Sequence, residues 1–140
     1  MQQEQLNGYA ALILRVSLGV LFIAHRMLKL FVLTIPGTVG YFESLGLPGI
    51  FAYLTIIAEI GGGAALIAGV YTRLVSVSLI PVLLGSIVFA HAGAGWVFSN
   101  EGGGWEYPAF WTVAMIVQAL LGDGPYALKA KARLAEPELV

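Results

Sequence analysis

The sequence predicts an all-α protein, a membrane-embedded four-helix bundle with a short interfacial helix between helices 1 and 2. Apolar residues make up 59% of the 140-residue chain and charged residues only 11%, which lies outside the usual composition of a soluble domain. The chain contains apolar runs that each approach the length of a bilayer-spanning helix, about 20 residues. With short connections these runs use the whole chain, so we predict a single domain over residues 1–140.

The first span, predicted over residues 9–32, carries several cationic side chains inside an apolar run. At about 100° per residue, most of these side chains fall on one stripe of the helix. The stripe consists of Arg15, Gly19, Phe22, Arg26 and Lys29. Charges at this depth must face protein, water or headgroups, so the rest of the bundle has to supply their partners.

A break is predicted directly after the first span. Thr34, Pro36 and Gly37 end the helix, because proline stops a helix and glycine releases the chain. In the segment that follows, Val39, Phe42 and Leu45 stand at helical spacing between glycines. This spacing predicts a short helix that lies at the membrane surface.

The second span, predicted over residues 50–70, follows Pro48 and contains one charge, Glu59, near its centre. Glycine and alanine crowd residues 61–65, directly after this carboxylate. Because dense glycine lowers helix propensity, the expected use of these residues is to let another helix backbone come close.

The third and fourth spans are predicted over residues 74–91 and 105–121. Pro81 lies inside the third span and predicts a kink, because proline removes a backbone donor. The fourth span is short and has Pro108 in its first turn, where proline is favoured. The connection between the two spans is rich in glycine and holds aromatic residues typical of a membrane interface. These aromatic residues are Trp96, Phe98, Trp105 and Tyr107.

Charge and cysteine content narrow the possible functions. A formal net charge of −1 and the absence of a long basic run argue against nucleic-acid binding. The chain has no cysteine, which excludes thiol chemistry and thiolate metal ligation by the chain itself. With four spans, one end of the bundle collects the basic residues Arg73, Lys129, Lys131 and Arg133. The positive-inside rule then places both termini in the cytoplasm.

Arg15 and Glu59 are expected to pair between the first and second spans, since both lie deep in their helices. One interpretation is a structural ion pair, because an unpaired charge at that depth would be expensive. The other interpretation is a proton or ligand site, since intramembrane carboxylates serve in proton relays. The sequence leaves both interpretations open.

A second polar group is predicted at the outer end of the bundle. It consists of His25, Arg26 and Lys29 on the first span, His91 at the end of the third span, and Glu101 and Glu106 in the loop that returns there. One interpretation is a set of cations that extend toward the headgroups, together with interfacial histidines. The alternative is a polar pocket for an anionic or quinone-like head group, with Trp96 and Trp105 in its roof.

Metal and haem sites are less favoured. Haem ligation by the two histidines, His25 and His91, is a weaker alternative to a quinone. No metal site is predicted, because neither histidine stands in the His-x-x-x-His or Glu-x-x-His spacing that identifies one.

Several short motifs occur together in a recognisable order. They are Arg15, Leu18, Gly19 and Phe22; His25 with Lys29; Leu45, Gly46, Leu47 and Pro48; Glu59 with Gly61 and Gly62; Gly69 with Thr72 and Arg73; Gly103, Gly104, Trp105, Glu106, Tyr107 and Pro108; and Gly124, Pro125, Tyr126, Ala127 and Leu128. In this order they resemble the DoxX family of small bacterial and archaeal membrane proteins. Two positions depart from that pattern, since Arg26 stands where the family has glycine and Lys129 where an aspartate is common.

The resemblance implies a four-helix protein of the cell (inner) membrane, in contact with the lipid bilayer. Relatives have been linked to a thiosulfate:quinone oxidoreductase and to membrane complexes that handle oxidative and thiol stress. Our main hypothesis is therefore a redox-associated membrane subunit that binds a quinone or another small amphiphile in a polar interior. It predicts a ligand-sized cavity that reaches the outer side. The candidate ligand-binding residues are Arg15, His25, Lys29, Glu59, His91, Trp105 and Glu106.

Two other functions stay open. The chain could be an accessory or scaffold subunit that docks other membrane or redox proteins through its small-residue faces. It could also be a small-molecule or proton carrier, which would need two accessible states and hence a homo-oligomer or a hinge, with Pro81 as the candidate hinge. Whether the chain is an enzyme is not decided by the sequence.

Overall fold

The computed structural model describes residues 1–128, and its regular elements are all helical, as predicted. The basic tail residues Lys129, Lys131 and Arg133, on which part of the predicted orientation rests, lie outside the described residues. The helices are α1 (Gln3–Ser44), α2 (Ile50–Ala68), α3 (Thr72–Ser86) and α4 (Glu106–Leu121). A π-helical turn (Ile87–His91) and a 3₁₀ turn (Ala92–Ala94) extend α3.

Helix α1 is broken at Thr34, where the first span was predicted to end. Thr34 has φ 63° and ψ 175°, which is an uncommon conformation for a β-branched residue. Its carbonyl accepts a hydrogen bond from Thr38 Oγ1 at 2.7 Å, and its own Oγ1 accepts one from Gly37 N at 3.4 Å. A helix after the break is confirmed, whereas its position at the membrane surface stays a prediction. Pro36 lies in the first turn of this helix, where a missing N–H costs little.

The four helices form a ring in which α1 packs most extensively on α2, and α3 on α4. Contacts of α2 with α3 and of α1 with α4 close the ring. The bundle has two ends. At one end α2 and α4 finish, and we call it the terminal end. At the opposite end α2 and α4 begin, and we call it the loop end. The apolar core between the helices consists of Leu18, Phe22, Leu66, Leu79, Leu83, Trp111 and Met115.

Helices α1 and α2 cross at a pair of glycines, Gly19 and Gly63. A Cβ atom added to Gly19 would lie 2.6 Å from the carbonyl oxygen of Gly63, and one added to Gly63 would lie 2.9 Å from that of Gly19. Only glycine permits such a close approach of two backbones. The second span was predicted to use its small residues for close approach of another helix backbone. This prediction is confirmed at Gly63, where the backbone of α1 comes close.

Three of the described helical segments are long and apolar enough to cross a membrane: Gln3–Ser44, Ile50–Ala68 and Thr72–Ala94. Helix α4 has 16 residues. Its length is therefore about 24 Å, less than the hydrocarbon thickness of about 30 Å. The fourth span remains a prediction.

Helix α3 continues through Pro81, the position at which a kink was predicted. Its α-helical geometry ends at Ser86, where the π-helical turn begins.

Candidate functional site

The loop-end half of the bundle contains a buried ion pair between Arg26 and Glu59. Arg26 Nε donates to Glu59 Oε2 at 2.5 Å, and the two side chains are 2% and 12% exposed. The expected pairing of Arg15 with Glu59 is therefore wrong. The reason is the axial position of the crossing: Glu59 lies on the loop-end side of Gly63, whereas Arg15 lies on the terminal-end side of Gly19.

Arg15 instead binds backbone carbonyls at the terminal end, and its side chain is fully buried. Its Nη1 donates to the carbonyls of Leu66 and Ile67 at 2.9 and 2.7 Å. Its Nε donates to Asp123 O at 2.9 Å, and its Nη2 to Pro125 O at 3.3 Å. These oxygens lie in the last turn of α2 and just after α4, where helices leave carbonyls without partners and carry partial negative charge. Arg15 therefore clamps two chain segments to α1.

Replacing Arg15 with lysine is expected to lower the free energy of unfolding by about 2 kcal/mol, because one ammonium group cannot reach four carbonyls on two segments. Thermal unfolding of the detergent-solubilised protein measures this loss. Arg73→Lys is the matched control, since Arg73 is exposed at the same end. Equal unfolding temperatures for the two variants would contradict the clamp.

His25 and Lys29 lie on α1 on either side of Arg26 along the chain. The His25 ring centroid lies 5.5 Å from that of Trp111, edge-on, and 6.5 Å from that of Tyr107. Lys29 lies within electrostatic range of both Glu59 and Arg26. Arg26 and Lys29 therefore carry two positive charges near one buried carboxylate, and an acceptor-rich ligand would be attracted to their surroundings.

His91 lies within electrostatic range of His25 and is held by the connection between α3 and α4. Its Nδ1 lies 2.8 Å from the carbonyl oxygen of Gly103, so this ring nitrogen carries the proton in that hydrogen bond. The connection is closed by backbone hydrogen bonds from Trp105 N to Gly95 O at 2.9 Å and from Glu106 N to Trp96 O at 3.1 Å. The rings of Trp96 and Trp105 meet edge-to-face, 4.5 Å apart.

A groove of about 790 Å³ opens on the outer face of this connection and of the first turns of α4. We call it the aromatic groove, and its lining is Trp96, Phe98, Trp105, Glu106, Tyr107, Ala109, Phe110 and Val113. Phe110 is 75% exposed, so the groove faces outward from the bundle. Tyr107 lines this groove and also lies beside the His25 ring, so it forms the wall between the groove and His25.

The structure divides the predicted site residues into three places. His25, Lys29 and Glu59 lie together with Arg26 in the interior, with His91 beside them; Trp105 and Glu106 line the aromatic groove; and Arg15 lies apart at the terminal end. Eleven residues separate Arg15 from Arg26 on α1, a rise of about 16 Å. A second groove, of about 290 Å³, is lined by residues near the N-terminus and Pro125. Neither of these two grooves is lined by His25, Lys29 or Glu59.

Three residues of the site were not among the predicted ligand-binding residues. Arg26 was placed on the cationic stripe but not assigned to Glu59. Tyr107 and Trp111 stand four residues apart on α4, and this helical spacing was the signal that both face α1. Among residues 1–128, no group of three or more histidine, aspartate or glutamate side chains is arranged to hold a metal ion.

Several long apolar helices define a multi-pass α-helical membrane protein, and it buries an ion pair between two of them. The DoxX family model matches residues 10–92, so the chain belongs to the DoxX family. The chain is 30% identical over 123 residues to "Putative oxidoreductase CatD" of Bacillus subtilis (strain 168), a match that covers 86% of this chain and 88% of that protein. It is 34% identical over 70 residues to "Inner membrane protein YqjF" of Escherichia coli (strain K12), covering 50% of this chain and 52% of that protein. No solved structure matches the chain.

Proposed function

We propose that this protein is a redox-associated subunit of the inner membrane that binds a quinone-like or other small amphiphile at the loop end of its bundle. The observation that carries the proposal is the aromatic groove, whose Tyr107 ring lies beside that of His25, the residue before Arg26 on α1. The name of the Bacillus relative supports a role in redox chemistry, and that of the Escherichia relative supports the inner membrane.

The chemistry of the groove suits a flat ring that carries polar oxygens. The side chains of Phe110 and Val113 offer an apolar surface for the ring and for a tail that continues into lipid. Trp105 contributes an indole donor, and Glu106 contributes a carboxylate at the rim. Ligand pockets of this kind combine a mostly apolar lining with a few polar groups that fix orientation.

The interior cluster would act on such a ligand from behind the groove wall. Arg26 pairs with Glu59, and Lys29 lies within electrostatic range of the same carboxylate, so these three groups together carry a net positive charge that favours electron-rich oxygens. With both termini in the cytoplasm, as the charge pattern predicts, the groove would open on the outer side of the membrane. Membrane or redox proteins that reduce or oxidise the bound amphiphile would be the partners.

Removing one aromatic wall of the groove should weaken binding of decylubiquinone to the protein in lipid nanodiscs. We expect Phe110→Ala to raise the Kd about 3- to 10-fold, because aromatic pairs contribute about 0.5–1.5 kcal/mol beyond area burial. Quenching of tryptophan fluorescence reports binding, since Trp96 and Trp105 lie in the groove. Phe51→Ala is the matched control, because Phe51 is exposed near the start of α2, outside the groove.

Equal effects of Phe110→Ala and Phe51→Ala on the Kd would contradict a ligand site in the groove. Unchanged fluorescence of the unmodified protein at saturating decylubiquinone would count against a quinone.

A second candidate function is an accessory subunit that docks another membrane protein through α2. Gly61 and Ala64 are exposed, and a Cβ atom added to Gly61 would meet nothing within 4 Å. Small residues on an open helix face permit close helix packing in membranes. The mass of the gently extracted assembly distinguishes the two functions, because a docking subunit would carry a second chain and a ligand-binding subunit an amphiphile.

A further inference from the structure

The terminal end of the bundle contains a layer of polar side chains in which every member is fully buried. We call it the polar layer, and its members are Arg15, Thr72, Ser76 and Gln118, each with 0% exposure. The layer lies below the apolar core and is separate from the loop-end charges.

Hydrogen bonds to neighbouring carbonyls place Gln118 and Arg15 at the same level. Gln118 Nε2 donates to Gly122 O at 2.8 Å, and Arg15 Nε donates to the next carbonyl, Asp123 O, at 2.9 Å. The first turn of α3 lies beside the same segment, because a Cβ atom added to Gly122 would be 3.0 Å from Arg73 Nη2. Helix α3 packs on α4 and begins at the end where α4 finishes, so Thr72 and Ser76 in the first turns of α3 lie at the level of Gln118 in the last turn of α4.

Three oxygen atoms of this layer have no hydrogen-bond partner in the described part of the chain. They are Thr72 Oγ1, Ser76 Oγ and Gln118 Oε1. The orientation of the Gln118 amide is fixed, because its other end must be the donor to the Gly122 carbonyl. A buried polar group without a partner costs about 1–3 kcal/mol, so three in one layer require an explanation.

Ser76 also had an alternative within its own helix. The hydroxyls of Ser78 and Thr112 each donate to the carbonyl four residues back, Leu74 O at 2.7 Å and Pro108 O at 2.8 Å. The Ser76 hydroxyl does not make this bond and lies unbonded among buried side chains. Ser76 thus differs from Ser78 on the same helix and from Thr112 on α4, whose hydroxyls are both satisfied locally.

We propose that the polar layer is an internal hydration site, in which water is shared by Thr72 Oγ1, Ser76 Oγ and Gln118 Oε1. Hydroxyls can both donate and accept, the amide oxygen accepts, and buried waters make about three hydrogen bonds. A metal cation is disfavoured by the positive charge of Arg15 at the same level. An anion is disfavoured because Arg15 directs four of its donors to backbone carbonyls.

As a consequence, the terminal half of the bundle contains internal water, whereas the apolar core above it contains none. Leu18, Leu79 and Met115 belong to that core, so an apolar layer separates the hydration site from the Arg26–Glu59 pair.

The test is the sign of the change in Tm when one hydroxyl is removed from the full-length protein. We expect Ser76→Ala to lower the Tm by about 3 °C or more relative to Ser78→Ala, because the shared water loses a partner. Ser78 is the matched control, since it is exposed on the same helix and both changes carry the same gain in helix propensity. If no water is bound to the Ser76 hydroxyl, Ser76→Ala should have a higher Tm than Ser78→Ala, because an unsatisfied buried group is removed. A higher Tm for Ser76→Ala, or equal Tm values for the two variants, would overturn the proposal.

Two further measurements separate a shared water site from other occupants. The loss of Tm in a Thr72→Val/Ser76→Ala double variant should be smaller than the sum of the single losses, whereas strict additivity would overturn a shared site. The Tm should not change when sodium is replaced by N-methylglucamine at constant ionic strength. A sodium-specific increase that Ser76→Ala abolishes would overturn water in favour of a cation.

Discussion

Replacing Glu59 with glutamine is expected to lower the free energy of unfolding by about 3–5 kcal/mol, the range for removing one partner of a buried ion pair. The amide keeps the shape of the side chain but removes its charge. Arg26, which is 2% exposed, would then remain buried with no counter-charge, and Lys29 would lose the same carboxylate. Desolvation of the remaining guanidinium therefore dominates the loss.

Thermal unfolding of the solubilised protein measures this effect, with Glu101→Gln as the control. Glu101 is an exposed carboxylate of the connection between α3 and α4, so its neutralisation should change little. A double variant, Arg26→Met with Glu59→Met, should recover much of the loss, because apolar side chains of similar volume replace both charges. Unfolding of Glu59→Gln at the same temperature as Glu101→Gln would show that the pair contributes little.

The stripe on α1 could be predicted from the sequence because it depends only on helical periodicity. Arg15, Phe22 and Arg26 are all buried in the structure, as a shared inward face requires. The order of partners along the helix could not be predicted in the same way. It depends on where α1 and α2 cross, and periodicity carries no information about that point.

The crossing point explains the wrong assignment of Glu59. Gly19 and Gly63 meet, so residues beyond Gly19 toward the loop end face residues before Gly63. Arg26 then meets Glu59, and Arg15 meets the carbonyl of Leu66 at the other end. A search for glycines that could pair between the two spans would have supplied the missing register.

The aromatic groove shows a different limit of prediction. The aromatic residues were expected at the interface, but the hydrogen bonds that bring Trp105 back to Gly95 join positions ten residues apart in an irregular segment. This closure depends on left-handed backbone at Gly95, Gly102 and Gly103, with φ of 79°, 84° and 76°. Composition marks such a segment as a connection but does not determine its shape.

The second large effect is expected at the α1–α2 crossing, where Gly63→Ala should lower the free energy of unfolding by about 3 kcal/mol, the upper part of the range for overpacking. The added methyl group would lie 2.9 Å from the carbonyl oxygen of Gly19 and 2.8 Å from Ile23 Cγ1. The backbone oxygen cannot move without shifting α1. Separation of the two helices would also lengthen the Arg26–Glu59 contact, so the loss should exceed that of a local clash.

Gly61→Ala is the matched control for this prediction, because Gly61 lies two residues away on the same helix. A Cβ atom at Gly61 meets nothing within 4 Å, so the substitution should raise stability by up to about 1 kcal/mol through helix propensity. The two substitutions are chemically identical, and their effects on Tm should have opposite signs. If both raise the Tm, α1 and α2 do not cross at Gly19 and Gly63, and the register that brings Arg26 to Glu59 would have to be abandoned.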